Sequence, residues 1–376
     1  MKIALLTQGL RFNAPEASNI TLKLFAEELV KEGHEVVIFC NQIFKQPLIE
    51  KISGYKIIRK KATDYNSKYT WNLKLLNYSE LVKKEVEESG KEFDIIHNFS
   101  ASPMLSIRGI LAKRFSKKAK LIQTIKAESE ARLSYILTPL LNYYDYVITP
   151  SNHLKRMLIK KGLKSNKVKI ISSYIDAGKF KPRDKNKLKK KYGYEGKKIL
   201  LYYGHFSEKK GLFDLIDAIT ILKDEDFKAL FITGSGEKFI KPYEKIIRER
   251  KLQNRIKIIK TPVKLTKNIE EYVAMADVSV FPYPDLISTE AQPSCILESM
   301  ASKTAVITSD LPELKEFLTE KEVIFANPKD SKDLAKKIKY ALNTKNLKEI
   351  ITRAYKKSKR FDAKKVIKKY IEIYSN

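Results

Sequence analysis

Apolar positions fall in short runs separated by longer stretches of mixed character, and the period within each stretch decides its element. Lys2–Thr7, Glu35–Cys40, Ile57–Arg59, Asp94–His97, Lys120–Ile125 and Tyr146–Thr149 read as strands. The segments Ala17–Lys31 and Trp71–Ser89 carry apolar residues at helical spacing between them. Near Lys179–Lys198 the pattern lapses into charged residues with Pro182, Gly193 and Gly196, which reads as a linker. A second series follows, with strands expected at Lys198–Gly204, Lys228–Thr233, Arg255–Ile259, Val278–Pro282 and Thr304–Thr308. Helices are expected at Leu212–Leu222, Phe239–Arg250, Ile269–Met275, Ser294–Ser302 and Pro312–Leu318, and Ser331–Tyr374 is almost wholly helical by period. Strand alternating with helix predicts an α/β protein whose parallel sheets carry helices on both faces. The lapse divides it into two doubly wound domains, 1–180 and 197–360. Ligands of such sheets sit at the carboxyl ends of the strands, so the loops there matter most.

Length agrees, because 376 residues exceed one typical core. The formal net charge of +30 favours polyanionic partners: nucleic acid, an anionic membrane or phosphorylated small molecules. A generally lysine-rich composition gives the same charge with no partner. No basic motif interleaved with aromatics appears, so no specific nucleic-acid partner is expected. The stretch 104–118 alternates Leu105, Ile110, Leu111 and Phe115 with Arg108, Lys113, Arg114, Lys117 and Lys118. Read as a basic amphipathic helix, it would rest on anionic headgroups. Cys40 and Cys295 lie in apolar runs without metal-ligand spacing, so buried thiols and no metal are expected. The first residues are too soon interrupted by Gln8 for a signal peptide, which places the chain in the cytoplasm, peripheral to the membrane if that helix binds it.

Three loops carry candidate chemistry. In Tyr202–Gly211, Gly204 permits a tight turn after a strand, and Gly211 opens a helix whose free N–H groups favour an anion, with Lys210 beside it. His205 lies in the same loop. Gly234-Ser235-Gly236 follows the next strand and allows close backbone approach, though a plain turn reads equally well. The third loop places Glu290 and Glu298 around Pro293-Ser294-Cys295. Pro293 would set a helix start, with the Ser294 and Cys295 N–H groups facing a ligand and two carboxylates flanking it. Solvated or lysine-paired carboxylates are the plain alternative. Asp224-Glu225-Asp226 lies in a helix-to-strand connection and reads as a solvated turn.

The order of these features resembles the GT-B-fold retaining glycosyltransferases of family 4, the group 1 enzymes. The resemblance is carried by Gly33-His34-Glu35-Val36, Phe93-Asp94-Ile95-Ile96-His97, Val147-Ile148-Thr149-Pro150-Ser151 and Glu290 through Ala301, then Asp310 and Pro312-Glu313-Leu314. It implies two Rossmann-like domains facing a cleft, with residues 361–376 forming a helix that returns to the first. It also implies transfer of a sugar from a UDP- or GDP-sugar to a hydroxyl of a glycan, polysaccharide or lipid-linked acceptor, without metal or other cofactor. Lys210 would bind the donor diphosphate, Glu298 the ribose and Glu290 the transferred sugar. Gly204, His205, Gly234, Ser294 and Cys295 would complete the donor site, and Gly9, Glu16 and His97 would lie on the acceptor side. The chain departs from the pattern in His205, where an arginine is usual, and in Glu16-Ala17, which replaces a glycine pair. It departs again in Lys126, which stands where a histidine usually touches the sugar. A polyanion-binding protein lacking catalysis, or a GT-B-fold sugar-nucleotide epimerase, remains as an alternative.

Overall fold

The structure is a computed structural model describing residues 1–10, 17–42, 46–61, 77–99, 103–127, 134–260, 268–285, 287, 289–344 and 346–376. Glu16 and Trp71 lie outside the described residues. The chain divides into two compact units, one of Met1–Phe12, Glu16–Ser172 and Ala363–Asn376, the other of Asn13–Pro15 and Ser173–Asp362.

The first unit carries β1 (Lys2–Gly9), β2 (Glu35–Asn41), β3 (Ile49–Ile52), β4 (Tyr55–Lys60), β5 (Ile95–Asn98), β6 (Lys120–Thr124), β7 (Tyr146–Thr149) and β8 (Val168–Ile170). They form one sheet in the order β3-β4-β2-β1-β5-β6-β7-β8. All neighbours are parallel except β3, which runs antiparallel to β4. Strands buried on both faces read as continuous apolar runs, as Ile3–Leu6 and Val36–Cys40 do, each residue being almost wholly buried. β3 escapes sequence reading because it alternates exposed and half-buried positions. Its partner is fixed by a two-residue turn, Ser53-Gly54, with φ of 49° and 85°, the geometry that matches strand twist in a tight hairpin.

The last helix, Ala363–Ser375, belongs to this unit and packs on Ala17–Lys31. Phe25 meets Tyr370 edge to face at 4.9 Å, and Lys120 Nζ donates to the Tyr374 carbonyl at 2.9 Å. His97 closes this contact. Its Nδ1 lies 2.6 Å from the Tyr374 hydroxyl and its Nε2 2.7 Å from Thr124 Oγ1. The ring is fully buried and stacked on Phe99, and burial, reinforced by Lys126, holds its pKa well below the usual histidine value. The expectation that His97 faces an acceptor is therefore corrected: both ring nitrogens are occupied inside the core. Gly9 ends β1 at a register shift between Leu6 and Gly9.

The basic stretch 104–118 is also corrected. It forms the helix Pro103–Ala112 followed by a 3-10 turn, Lys113–Phe115. Arg108 is buried, and Gly109 lies so close to Tyr144 that an added Cβ would stand 2.5 Å from its hydroxyl. Lys113 is paired with Asp145 at 3.2 Å. The helix packs inward, and only Arg114, Lys117 and Lys118 of its basic residues are exposed, at the turn end.

The second unit holds β9 (Ile199–Tyr203), β10 (Lys228–Thr233), β11 (Ile256–Lys260), β12 (Val278–Phe281), β13 (Ala305–Ser309) and β14 (Ile324–Ala326). They form a parallel sheet in the order β11-β10-β9-β12-β13-β14. The expected linker is structured instead. Asp184 caps a helix, Lys185–Tyr192, by accepting from Lys187 N–H at 3.0 Å, and Gly193 ends it in the left-handed region. Leu188 supplies its buried contact, Lys189 pairs with Asp277 at 2.7 Å, and Lys191 with Glu271 at 2.6 Å. Lysine density hid the helix period.

Gly211 positions the loop that follows β9. Its φ is +70°, and an added Cβ would stand 1.8 Å from the Pro282 carbonyl oxygen. Only glycine allows these two backbones to touch. Gly211→Ala combines left-handed strain with a backbone clash, and we expect it to destabilise the protein by about 3 kcal/mol or more. Thermal or urea unfolding of the two forms measures this.

Candidate functional site

The loops after β9, β10 and β12 lie together at the carboxyl edge of the second sheet. Gly204, with φ of +145°, leaves β9 while its N–H still donates to the Ile232 carbonyl at 3.0 Å. The next residue, His205, is exposed, and its Nδ1 lies 2.9 Å from Ser235 Oγ. The same hydroxyl accepts from Phe206 N–H at 2.9 Å, and the Ser235 N–H donates to Thr233 Oγ1 at 3.0 Å. Ser235 thus ties the first loop to the second, with Gly234 exposed beside it. Gly236 has an ordinary φ of −68° and open space around its α-carbon, so close backbone approach does not require glycine there.

A 3-10 turn, Glu208–Lys210, capped by Ser207 and closed by Gly211, carries Lys210 inward. Its ammonium lies over the Tyr283 ring, 5.4 Å from the centroid. Burial lowers the Lys210 pKa, with the Glu290 carboxylate opposing that shift. A lysine stripped of much of its water interacts more strongly with an anion beside it than a solvated one does.

The opposite wall is the helix Ser294–Ala301, capped by Pro293 with φ −62° and ψ 127°. Proline therefore precedes the helix instead of forming its first residue. Cys295 sits against Tyr283, Sγ to hydroxyl 3.1 Å, and burial pushes its thiol up to about 12. It is no nucleophile, so its thiol is set aside as a reacting group. Glu298 stands one turn on. Tyr203, at the end of β9, places its hydroxyl 3.0 Å from Glu298 Oε2 and 2.8 Å from the Cys295 carbonyl. Although part of the Glu298 side chain meets solvent, dense packing around it dominates and raises its carboxyl to about 7. Tyr203 and Lys179 pull it down, and Glu290 pushes it further up.

The structure thus gathers Lys210, Glu290, Cys295 and Glu298 at one helix, with Ser294 at its first position, while Gly204 and His205 contact Ile232 and Ser235 on the β10 side. Lys126 belongs to the first unit, where its Nζ donates to Thr21 Oγ1 at 3.3 Å. Sequence reading missed Tyr203, Ser235, Tyr283 and Lys179. Tyr203 carries a signal, an aromatic immediately before the strand-ending glycine, but its partner lies 95 positions away. Among the described residues no group of acidic, histidine and cysteine side chains is arranged to hold a metal ion. Glu225 of the acidic turn is paired with Lys339 at 2.7 Å and Asp226 with Lys197 at 3.2 Å.

Comparison with known proteins bears on the chain as a whole. Residues 184–358 match the family described as Glycosyl transferases group 1, and residues 19–179 match Glycosyltransferase Family 4. The chain belongs to the family 4 glycosyltransferases. A phosphatidylinositol N-acetylglucosaminyltransferase subunit of Saccharomyces cerevisiae is 24% identical over 246 residues, covering 64% of this chain and 53% of that protein. The chain thus spans about half the length of that relative. The alpha-monoglucosyldiacylglycerol synthase of Streptococcus pneumoniae is 25% identical over 332 residues, 82% of this chain and 71% of that protein. A crystal structure of an Anabaena protein with UDP and glucose superposes with a TM-score of 0.78 at 20% identity, covering 100% of this chain and 99% of that one. The fold is GT-B.

Glu298 makes the fold pH-dependent in a fixed direction. A carboxyl raised from 4.5 to about 7 binds more protons folded than unfolded between those values. Its contribution to stability is full below the ordinary carboxylate pKa and is lost as pH rises through about 7. Removing the charge should reverse that loss, by an amount on the order of 3 kcal/mol at most. Glu298→Gln is expected to raise Tm at pH 8 and leave it nearly unchanged at pH ~4.5, read by scanning calorimetry across pH.

Proposed function

We propose that this chain transfers a sugar from a nucleotide-sugar donor to an acceptor hydroxyl with retention of anomeric configuration. The reading is carried by the Tyr203–Glu298 pair and Lys210 on either side of the Ser294–Ala301 helix start. A diphosphate needs a cation and N–H donors, and Lys210 with the Ser294 and Cys295 backbone supplies both. A ribose offers two hydroxyls that donate, and Glu298 accepts from them once ionised. Glu290 would take hydroxyls of the transferred sugar, and His205 would add a second donor beside Lys210. As the glycosidic bond breaks, charge grows on the leaving phosphate. Lys210 already stands there and is stripped of much of its water, so the transition state gains more than the ground state. Attack comes from the same face as departure, and the leaving phosphate oxygen takes the acceptor's proton. This scheme assigns the diphosphate to protein groups and calls for no metal.

The acceptor is proposed to be lipid-linked, supported by two relatives whose names contain phosphatidylinositol and monoglucosyldiacylglycerol. A cytoplasmic setting at the membrane face belongs to the same proposal. Lys126 is proposed to lie on the sugar side, where a cation would suit an anionic or hydroxyl-rich donor.

UDP-glucose is expected to raise Tm, while Lys210→Ala lowers kcat/KM by roughly a hundredfold or more. Unchanged kinetics in Lys210→Ala and Glu298→Ala together would leave the polyanion-binding alternative standing instead. Because ribose hydroxyls require the ionised carboxylate, UDP-glucose should bind roughly tenfold more weakly at pH 6 than at pH 8. Glu298→Gln should flatten that dependence, which isothermal titration across pH checks.

A further inference from the structure

The helix that carries Glu298 has a second end. Its last turn closes with both hydrogen bonds of a Schellman motif, Lys303 N–H to the Met300 carbonyl at 3.2 Å and Thr304 N–H to Ser299 at 3.0 Å. A cavity of about 400 Å³ opens there, lined among others by Arg183, Lys185, Ser302, Lys303, Lys348 and Thr352. Four of these side chains are cationic, and none of the residues lining the cavity is acidic.

Part of this charge is engaged, since an Arg183 terminal N–H donates to the Lys179 carbonyl at 3.3 Å and Lys303 lies 5.0 Å over the Tyr355 ring, but other donors there are not. The Ser302 hydroxyl is buried, the residue being 1% exposed, and has no hydrogen-bond partner. The Nε of Arg183 is likewise buried without one. A native protein rarely leaves two such donors idle at one place. Lys185 donates to the Ala276 carbonyl at 2.6 Å, and burial, opposed by Asp277, brings its pKa down to about 8. Asp277 acts on Lys185 and Glu271 on Arg183, and both acids are also bonded to other donors. Asp277 accepts from Lys189 and from Ile199 N–H, both at 2.7 Å, and Glu271 accepts from Lys191 and the Tyr192 hydroxyl, both at 2.6 Å.

We propose that this cavity is a binding site for a phosphate group, borne by a phosphorylated small molecule or by inorganic phosphate. A compact, multiply charged tetrahedral anion would pair with the lysines, take the fork of Arg183 and accept from the Ser302 hydroxyl. Ser302 stands one turn beyond Glu298 on the Ser294–Ala301 helix, and none of the residues lining the cavity is one assigned to the donor.

Inorganic phosphate and glucose 6-phosphate, each added against sodium chloride of equal ionic strength, serve as probes of the full chain. Both arms are read by thermal shift and by isothermal titration. Saturable binding of either is expected, and the arm that binds more tightly tells free phosphate from monoester. Lys348 and Lys303 are exposed, and Lys303 holds a left-handed φ of 57° that glycine suits better. Lys303→Gly with Lys348→Gln therefore removes two charges without threatening the fold, and should weaken phosphate binding roughly tenfold or more. Lys210→Ala should leave it intact, which separates this site from the diphosphate assignment. No saturable response beyond the chloride control, or equal binding by the double variant, overturns the proposal. So does loss of the response in Lys210→Ala alone.

Discussion

Much of the second unit's working edge depends on a contact between two backbones. The α-carbon of Gly211 lies against the Pro282 carbonyl, closer than any side chain would allow. That contact presses the loop after β9 onto the loop after β12. Lys210, one residue earlier, is carried over the Tyr283 ring and into the field of Glu290. Without it, Lys210 would be one more solvated lysine on a strongly basic chain. With it, the ammonium is partly stripped of water and its attraction for an anion is no longer screened.

The facing wall shows the complementary device. Tyr203 ends the strand that leads into the Lys210 loop, and its hydroxyl reaches Glu298 on the Ser294–Ala301 helix. One strand thus positions the cation through its loop and the carboxylate through its last side chain. Packing keeps that carboxyl titrating near neutrality, so the unliganded site holds an acid that gains by meeting hydroxyl donors. The strain of a desolvated acid and a desolvated lysine at one edge is a cost to the fold that ligand binding can relieve. A site assembled in this way is destabilised when empty, as working sites commonly are.

The first unit shows how buried polarity can mislead. His97 ends a strand on the side where ligands sit, yet its two nitrogens join β6 to the last helix through Thr124 and Tyr374. The stretch 104–118 misleads similarly. Its charges look amphipathic along the chain, but Arg108 is buried and Lys113 is paired with Asp145. In both cases the sequence shows residue type and period, while the partner that neutralises each residue is distant in the chain.

The central strands of both sheets and the helices between them were legible, because parallel strands buried on both faces must be apolar along their length. The Glu290–Glu298 spacing was legible too, since it lies within one loop and one helix. Short or half-exposed strands such as β3 and β8, and the lysine-rich helix Lys185–Tyr192, were not, because their burial comes from neighbours far along the chain. Local order alone determined that a glycine precedes Leu212 and that a lysine precedes that glycine. Tertiary structure decided that the glycine meets Pro282, that Tyr203 meets Glu298, and that Ser235 meets His205. The difference is physical: periodicity is a property of neighbours in sequence, whereas desolvation depends on which distant groups displace the water.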